Sequence, residues 1–485
     1  MSISVRRNLA WMVFSQVGLV VIQFGGSITM ARLLTPREMG IYAVAAAVVG
    51  ILDIIRSFGL KSLIIREHEL TRVAAATIFT INAGLNIACA TFILAVSEIG
   101  SRTLGDAGVG RIMHLLAITP LLNIFEFLPN ARLEREGAFR TIALINVGRT
   151  IVNIGTTVIL AANGFSYMSI AWGATATTLF SVVCSNAAGW QYVSLRLGLQ
   201  DWRRIARFGL QMLTVSTVGG ITSRLTDLLI GRLISLSALG LYSRAAGLNN
   251  LLWDNLHLVV ARVVFVDFAE QHRRKLSLRE SYLRIVSMLT AFLWPAFLGL
   301  AILARPIVLT IYGENWIEAA LPLSLMSIAG VLYVSITMTH EIYTVSGEMS
   351  RQVKVEFKRN ILGSLLFAAG CLGGLAWAAA SRIGDAVITI ILVKKDLERI
   401  TQTCPSDFVP IYAQSAGLTV LACGPAALLM AANSWSEHTS ITAILGAAVG
   451  GCCAWLIGLW YVRHPLYIEL ATTLHRIKRT LVSTT

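Results

Sequence analysis

The sequence predicts an all-α integral membrane protein of about fourteen transmembrane helices, with two parallel six-helix lobes around a central cavity and two additional C-terminal helices. Three observations predict it. Of 485 residues, 55% are hydrophobic and only 14% charged, and the mean hydropathy is +0.70. Soluble domains carry about 25% charged residues. So little polar sequence cannot coat packed cores in water, and lipid must be most of the solvent. Lys and Arg recur in alternate connections along the chain. One turn is written twice, 200 positions apart.

A helix needs about 20 apolar residues to cross the hydrocarbon. The first such run, 9–30, follows Arg6 and Arg7; it is too long for a cleaved leader and no small-residue cleavage site interrupts it, so it is read as a span. Spans at 40–60, 73–97, 112–131, 140–161 and 166–190 complete a first set of six. A second set follows at 206–230, 238–262, 284–304, 320–345, 356–373 and 375–393, the last two separated only by Gly373-Gly374. Spans 409–432 and 440–462 come last. The implied domains are an N-terminal lobe 1–195, a C-terminal lobe 196–400, and a tail 401–485 of two helices and a basic end. The connection 262–284 is basic and mixed, which suits an amphipathic helix at the membrane surface.

The net charge of +14 follows this plan. Of 40 Lys and Arg, 30 lie in or beside the termini and the even-numbered connections, from Arg6 and Arg7 through Arg132, Arg135 and Arg140 to Arg476, Lys478 and Arg479. By the positive-inside rule both termini and these loops are cytoplasmic in the inner membrane. The excess charge then reports topology and contact with lipid headgroups, and nucleic acid is not an expected partner. The outward loops, such as AANGFSYM, ISLSAL and ANSWSEHTS, are short. Seven cysteines show no CxxC spacing, and six fall in apolar runs, so they are read as small core residues, with neither a disulfide framework nor a metal site.

The repeated turn reads ARLLTPREMGIYAVAA at 31–46 and GRLISLSALGLYSRAA at 231–246. Arg32/Arg232, Leu33/Leu233, Gly40/Gly240, Tyr42/Tyr242, Ala45/Ala245 and Ala46/Ala246 coincide. Further along, Gly137 pairs with Gly347, Arg149 with Arg359 and Gly164 with Gly374, at an offset of 210. Six spans per copy is an even number, so the repeat is parallel and the two lobes can rock about a cleft. Gly40 and Gly240 are read as tight-turn residues needing positive φ.

These residues resemble a family. ARLLTPREMGIY (31–42) followed by DIIRSFGL (53–60), then DLLIGRL (227–233), LGLY (239–242) and ARPIVLTIYGENW (304–316), look like polysaccharide and lipid-linked oligosaccharide flippases of the multidrug/oligosaccharidyl-lipid/polysaccharide exporter superfamily. The likeness is greatest to exopolysaccharide transporters of the succinoglycan type. It implies no enzyme activity. The implied cargo is an undecaprenyl-diphosphate-linked oligosaccharide, moved from the cytoplasmic to the periplasmic leaflet ahead of polymerisation, with a polysaccharide polymerase and a chain-length regulator as possible partners.

An ionised side chain at the bilayer centre costs about 2.5–3.5 kcal/mol on insertion scales, so it should face protein or water. Arg149 lies midway along span 5, Arg224 and Asp227 one turn apart on span 7, and Arg244 on span 8. Arg224 and Arg244 sit roughly 9 Å below the outer surface. A guanidinium suits a diphosphate, being planar and permanently charged, so these residues are the expected lining of the substrate cavity. The alternative is local ion pairing, for instance Arg224 with Asp227. A second group lies nearer the inner face: Asp53 and Arg56, Asp254 and His257, Glu126, His340 and Glu341. These are candidates for gating salt bridges or for coupling ions, His257 being the proton candidate; for Asp53 and Arg56 a local structural pair is the favoured reading. Arg382 and Asp385 read as structural. Asn146, Asn153, Trp172, Gln211, Asn249 and Trp253 are the polar and aromatic residues available to hold sugar rings.

Other signals fail. His340-Glu341 lacks a second His, since Thr344 stands there. GDAGVG (105–110) has the wrong spacing for a dinucleotide loop. There is no phosphate-binding GxxxxGK[ST] loop, so no nucleotide or other cofactor is expected and energy must come from a gradient. Two other functions compete: an ion-coupled multidrug antiporter of the same superfamily, which would favour acidic cavity residues, and a peptidoglycan-precursor flippase, which charge does not distinguish. A polymerase or ligase would need a large outer loop, which is missing.

Overall fold

The computed structural model describes residues 3–469 apart from 58, 67–70, 105, 191–195 and 201; the side chains of 3–17, 57, 66, 103–104, 211–219, 254–259 and 262–263 also lie outside the described set. The chain forms two compact units, Met1–Gly240 and Leu241–Thr485. Every regular element among the described residues is helical. In lipid this is forced, because each backbone N–H and C=O must find its partner within its own segment.

The first unit contains α1 (Ile3–Leu33), α2 (Pro36–Ser57), α3 (Leu60–Arg66), α4 (Arg72–Leu104), α5 (Ala107–Leu116), α6 (Ile118–Arg135), α7 (Phe139–Ala162), α8 (Met168–Ala188) and α9 (Trp202–Leu233). Helix α10 (Leu236–Arg273) begins there. In the second unit follow α11 (Arg279–Ile302), α12 (Ala304–Tyr312), a 3₁₀ turn Glu314–Ala319, α13 (Ala320–Val334) and α14 (Thr339–Val345). It ends with α15 (Met349–Leu372), α16 (Leu375–Thr401), α17 (Pro405–Ala432) and α18 (Ile441–Tyr461).

A helix lies at each of the fourteen expected spans. Among the described residues 10 helical segments are long and apolar enough to cross a membrane, and Gly18–Leu33 is a shorter apolar one. The expected surface helix at 262–284 takes another form: residues up to Arg273 extend α10, with Val264 and Phe268 buried in the core of the second unit. Elsewhere large apolar side chains point outward, as with Leu372 at 79% exposure and Leu428 at 73%. Such an exterior is costly in water and favourable in lipid.

Helix starts follow capping chemistry. Thr35 opens α2 as a capping box: its backbone N–H donates to Glu38 Oε2 at 2.7 Å while the Glu38 N–H donates to Thr35 Oγ1 at 3.3 Å, with Pro36 in the first turn. Ser235, the matching residue 200 positions on, accepts from the Ala238 N–H at 3.0 Å and opens α10.

Within the first unit the two copies of the turn touch. A Cβ on Gly40 would overlap the carbonyl oxygen of Leu236, and a Cβ on Gly240 would overlap that of Pro36. The contact is reciprocal, glycine against the start of the other helix. This corrects the reason expected for these glycines: neither has positive φ, and both sit inside helices. What the position needs is the absence of a side chain. Positive φ falls on the other glycine pairs, Gly137 and Gly347 at +71° and +75°, and Gly164 and Gly374 at +83° and +96°. The first pair ends α6 and α14, the second ends α7 and α15, so matched positions of the repeat share a backbone conformation.

Helix α9 packs along α2 in the first unit. The contact boundary at 240/241 therefore falls after α9, whereas the repeat begins anew before it.

Candidate functional site

In the first unit α6, α7 and α8 bring together Glu126, Arg149 and Ser181. The Ser181 hydroxyl donates to Glu126 Oε1 at 2.6 Å, and Arg149 Nη1 lies 3.6 Å from the same oxygen. Glu126 is buried, while the Arg149 side chain is 39% exposed. The carboxylate thus tethers the guanidinium and leaves part of it exposed. The sequence assigned Arg149 to the cavity and Glu126 to an inner gate; the fold makes them partners.

A second group lines α2, α4 and α9. Arg56 pairs with Asp53 at 3.0 Å and donates to Asn86 Oδ1 at 3.1 Å. Asn86 in turn donates to the Asn82 carbonyl at 2.8 Å. Arg224, from α9, lies flat on Gly50, where an added Cβ would stand 2.6 Å from its Nε. Its charge acts on Asp53 and on Tyr42, the tyrosine of the repeated turn. Arg224 therefore belongs to one polar strip with Asp53 and Arg56, and Asp227 stands half-buried one turn further along α9.

In the second unit Arg244, on α10, lies over two rings, with its Cζ 5.9 Å from the centre of Tyr312 and 5.8 Å from that of Trp316. Both rings are buried, Trp316 completely. Gly313 between them has φ of +97°, and this turn from α12 into the 3₁₀ segment sets the rings 6.1 Å apart. These aromatics belong to the YGENW end of a segment quoted above for its family resemblance, and no role was expected of them. Nearby, Arg382 donates from Nε to the Tyr242 hydroxyl at 2.8 Å and covers the Phe367 ring at 4.4 Å. Asp385, 3.9 Å from Arg382, accepts from the Tyr333 hydroxyl at 2.6 Å. Each group here is tied to its neighbours, as a structural network requires.

His340 and Glu341 diverge: His340 is exposed with Nδ1 3.1 Å from Gln352 Nε2, while Glu341 is buried. The side chains of Asp254, His257 and Gln211 lie outside the described residues. Of the sugar candidates, Asn146 and Trp172 are exposed, and Asn153, Asn249 and Trp253 are half-buried. Among the groups outside the spans with shifted acidities are Glu348 and His464. The Arg399 guanidinium, hydrogen-bonded to Glu348 at 2.8 Å, holds that carboxyl below its ordinary value. Burial pushes the His464 imidazole down. The Leu466 N–H donates to its Nδ1, which leaves the proton on Nε2 to bond Ser287 at 2.9 Å.

Comparison with known proteins gives the following. A family model described as polysaccharide biosynthesis protein matches residues 29–321. The lipopolysaccharide biosynthesis protein WzxC of Escherichia coli is 21% identical over 384 residues, 77% of this chain and 76% of that protein. The succinoglycan biosynthesis transport protein ExoT of Rhizobium meliloti is 26% identical over 336 residues, 68% of this chain and 67% of that protein. Among solved structures, the lipid II flippase MurJ in an inward closed conformation superposes with a TM-score of 0.78 over 94% of this chain and 99% of its own, at 11% identity. That likeness concerns the fold.

Proposed function

The chain belongs to the polysaccharide biosynthesis protein family, and from that premise we propose that it is the flippase for an undecaprenyl-diphosphate-linked oligosaccharide. The cargo moves from the cytoplasmic to the periplasmic leaflet of the bacterial inner membrane, to supply exopolysaccharide or O-antigen synthesis. Both termini are cytoplasmic. The lobes 1–195 and 196–400 alternate access to a central cavity, with the spans 409–432 and 440–462 outside it. A polymerase and a chain-length regulator act next.

Arg149, Arg224, Arg244 and Asp227 line the passage. The linker carries negative charge through a low-dielectric slab, and fixed guanidinium groups offset it. The observation that carries this reading is the mounting of Arg244 on two buried rings. Aromatic faces stabilise a cation without cancelling its charge. Asp53, Arg56, Asp254, His257, His340 and Glu341 gate the inner mouth or carry coupling ions, while Glu126 holds Arg149.

The test is made in cells. In a null strain, lipid-linked oligosaccharide should accumulate facing the cytoplasm, and wild-type protein should relieve it. Arg149→Ala and Arg244→Ala, at normal membrane levels, should not, and Lys at either position should restore more than Ala. Full polymer export by both Ala variants contradicts the assignment.

A further inference from the structure

We propose that Tyr312 and Trp316 are positioning residues for transport, holding the Arg244 guanidinium aimed at the diphosphate linker as it passes; this rests on the flippase reading above. Both rings are buried, so neither touches cargo and each acts through Arg244. The Tyr312 hydroxyl oxygen also accepts a hydrogen bond from the same guanidinium.

A carboxylate partner and an aromatic partner differ in what they leave behind. Glu126 sets a carboxylate oxygen 3.6 Å from Arg149 and offsets part of its field. Rings offer only a quadrupole, worth about 2 kcal/mol to a desolvated cation. That offsets most of the insertion cost of about 2.5–3.5 kcal/mol, and a ring adds no opposing full charge. Two rings also fix direction. With Tyr312 and Trp316 tilted 58° to one another, the planar head rests on two faces at once. The Gly313 turn makes this seat, because at φ of +97° it brings residues on either side of it under one side chain. The first repeat has Val44 where the second has Arg244, so the charged seat is peculiar to one copy. An anionic cargo meets it on one side of its path.

Fluorination separates this role from packing. Mono-, di- and trifluorotryptophan at position 316 keep the ring's shape and progressively drain its negative face. The readout is affinity of the purified full chain in lipid nanodiscs for farnesyl diphosphate, with farnesol as uncharged control and the thermal midpoint as a check on packing. The dissociation constant for farnesyl diphosphate should rise stepwise, to about tenfold for the trifluoro ring, with farnesol affinity and midpoint unmoved. Trp316→Phe should bind more tightly than Trp316→Leu. A flat series, or one in which farnesol weakens equally, overturns the role of the rings. Arg244→Gln distinguishes the two levels. If it weakens farnesyl diphosphate while fluorination does not, the cavity assignment survives and the positioning role fails. If Arg244→Gln has no effect, or wild type does not bind the probe, both fall.

Discussion

Replacing Gly40 or Gly240 by alanine tests the contact between the two copies of the turn. A Cβ at Gly40 would lie 2.6 Å from the Leu236 carbonyl carbon and 3.2 Å from its Cα; at Gly240 the distances to Pro36 are 2.7 Å and 3.0 Å. Carbon atoms in contact prefer about 3.5–4.0 Å. The obstacle is backbone on both sides, with the carbonyl oxygens closer still, so no rotamer change relieves it and the helix starts must part by more than about 1 Å. Overpacking of this kind costs about 1–3 kcal/mol. Alanine in a helix returns about 0.5–1 kcal/mol over glycine, leaving a net loss of about 0–2.5 kcal/mol. Gly155, on α7 with nothing within 4 Å of its Cβ, is the control and should gain stability on the same substitution. Because the contact is reciprocal, parting the helices for one methyl makes room for the other. The double variant should therefore lose less than the sum, with a coupling of about 0.5–3 kcal/mol. Thermal unfolding of the four proteins in one lipid gives the cycle. Gly40→Ala behaving like Gly155→Ala, or strict additivity, would refute the reasoning.

Other predictions follow from single contacts. Glu126→Gln should destabilise by about 1–3 kcal/mol, because Ser181 and Arg149 lose a buried carboxylate, and adding Arg149→Gln should recover part; thermal unfolding of the two variants checks this. Gly313→Ala should cost about 1–3 kcal/mol through strain at φ of +97° and should shift the tryptophan emission as Trp316 moves. His464 contributes a pH dependence. Its imidazole is held neutral and its folded pKa lies below the ordinary 6.5, so the native state binds fewer protons than the unfolded chain. Stability is complete above about 6.5 and falls as pH drops from there towards the folded value, where the loss levels off. Denaturation of wild type between pH 7.5 and 5 should show this slope, and His464→Gln should flatten it.

The spans were legible because length and hydropathy decide them with no knowledge of packing. The repeat was legible because the turn residues are few and specific. Gly40 and Gly240 were found as a pair but given the wrong cause, since a glycine kept for positive φ and one kept for close approach look alike in sequence. Asp53 and Arg56 could be read directly, as neighbours one helical turn apart. Glu126 and Arg149 could not: they lie on different helices, and only the way α6 meets α7 sets their relative depth. His340 and Glu341 were grouped by depth, yet adjacent helical residues face different ways. The Arg244 seat was hidden by its distance in sequence, though two aromatics flanking a glycine in YGENW were the available sign.

The most direct measurement uses purified protein in lipid vesicles carrying a fluorescent undecaprenyl-diphosphate-linked oligosaccharide, with exposure to the outside followed by an impermeant quencher. Wild-type protein should bring nearly all the label within reach of the quencher, whereas protein-free vesicles and Arg149→Ala/Arg244→Ala protein should leave about half protected. Protection persisting with wild-type protein, or lost equally with the doubly substituted one, would contradict a passage that carries anionic glycolipid on intramembrane arginines.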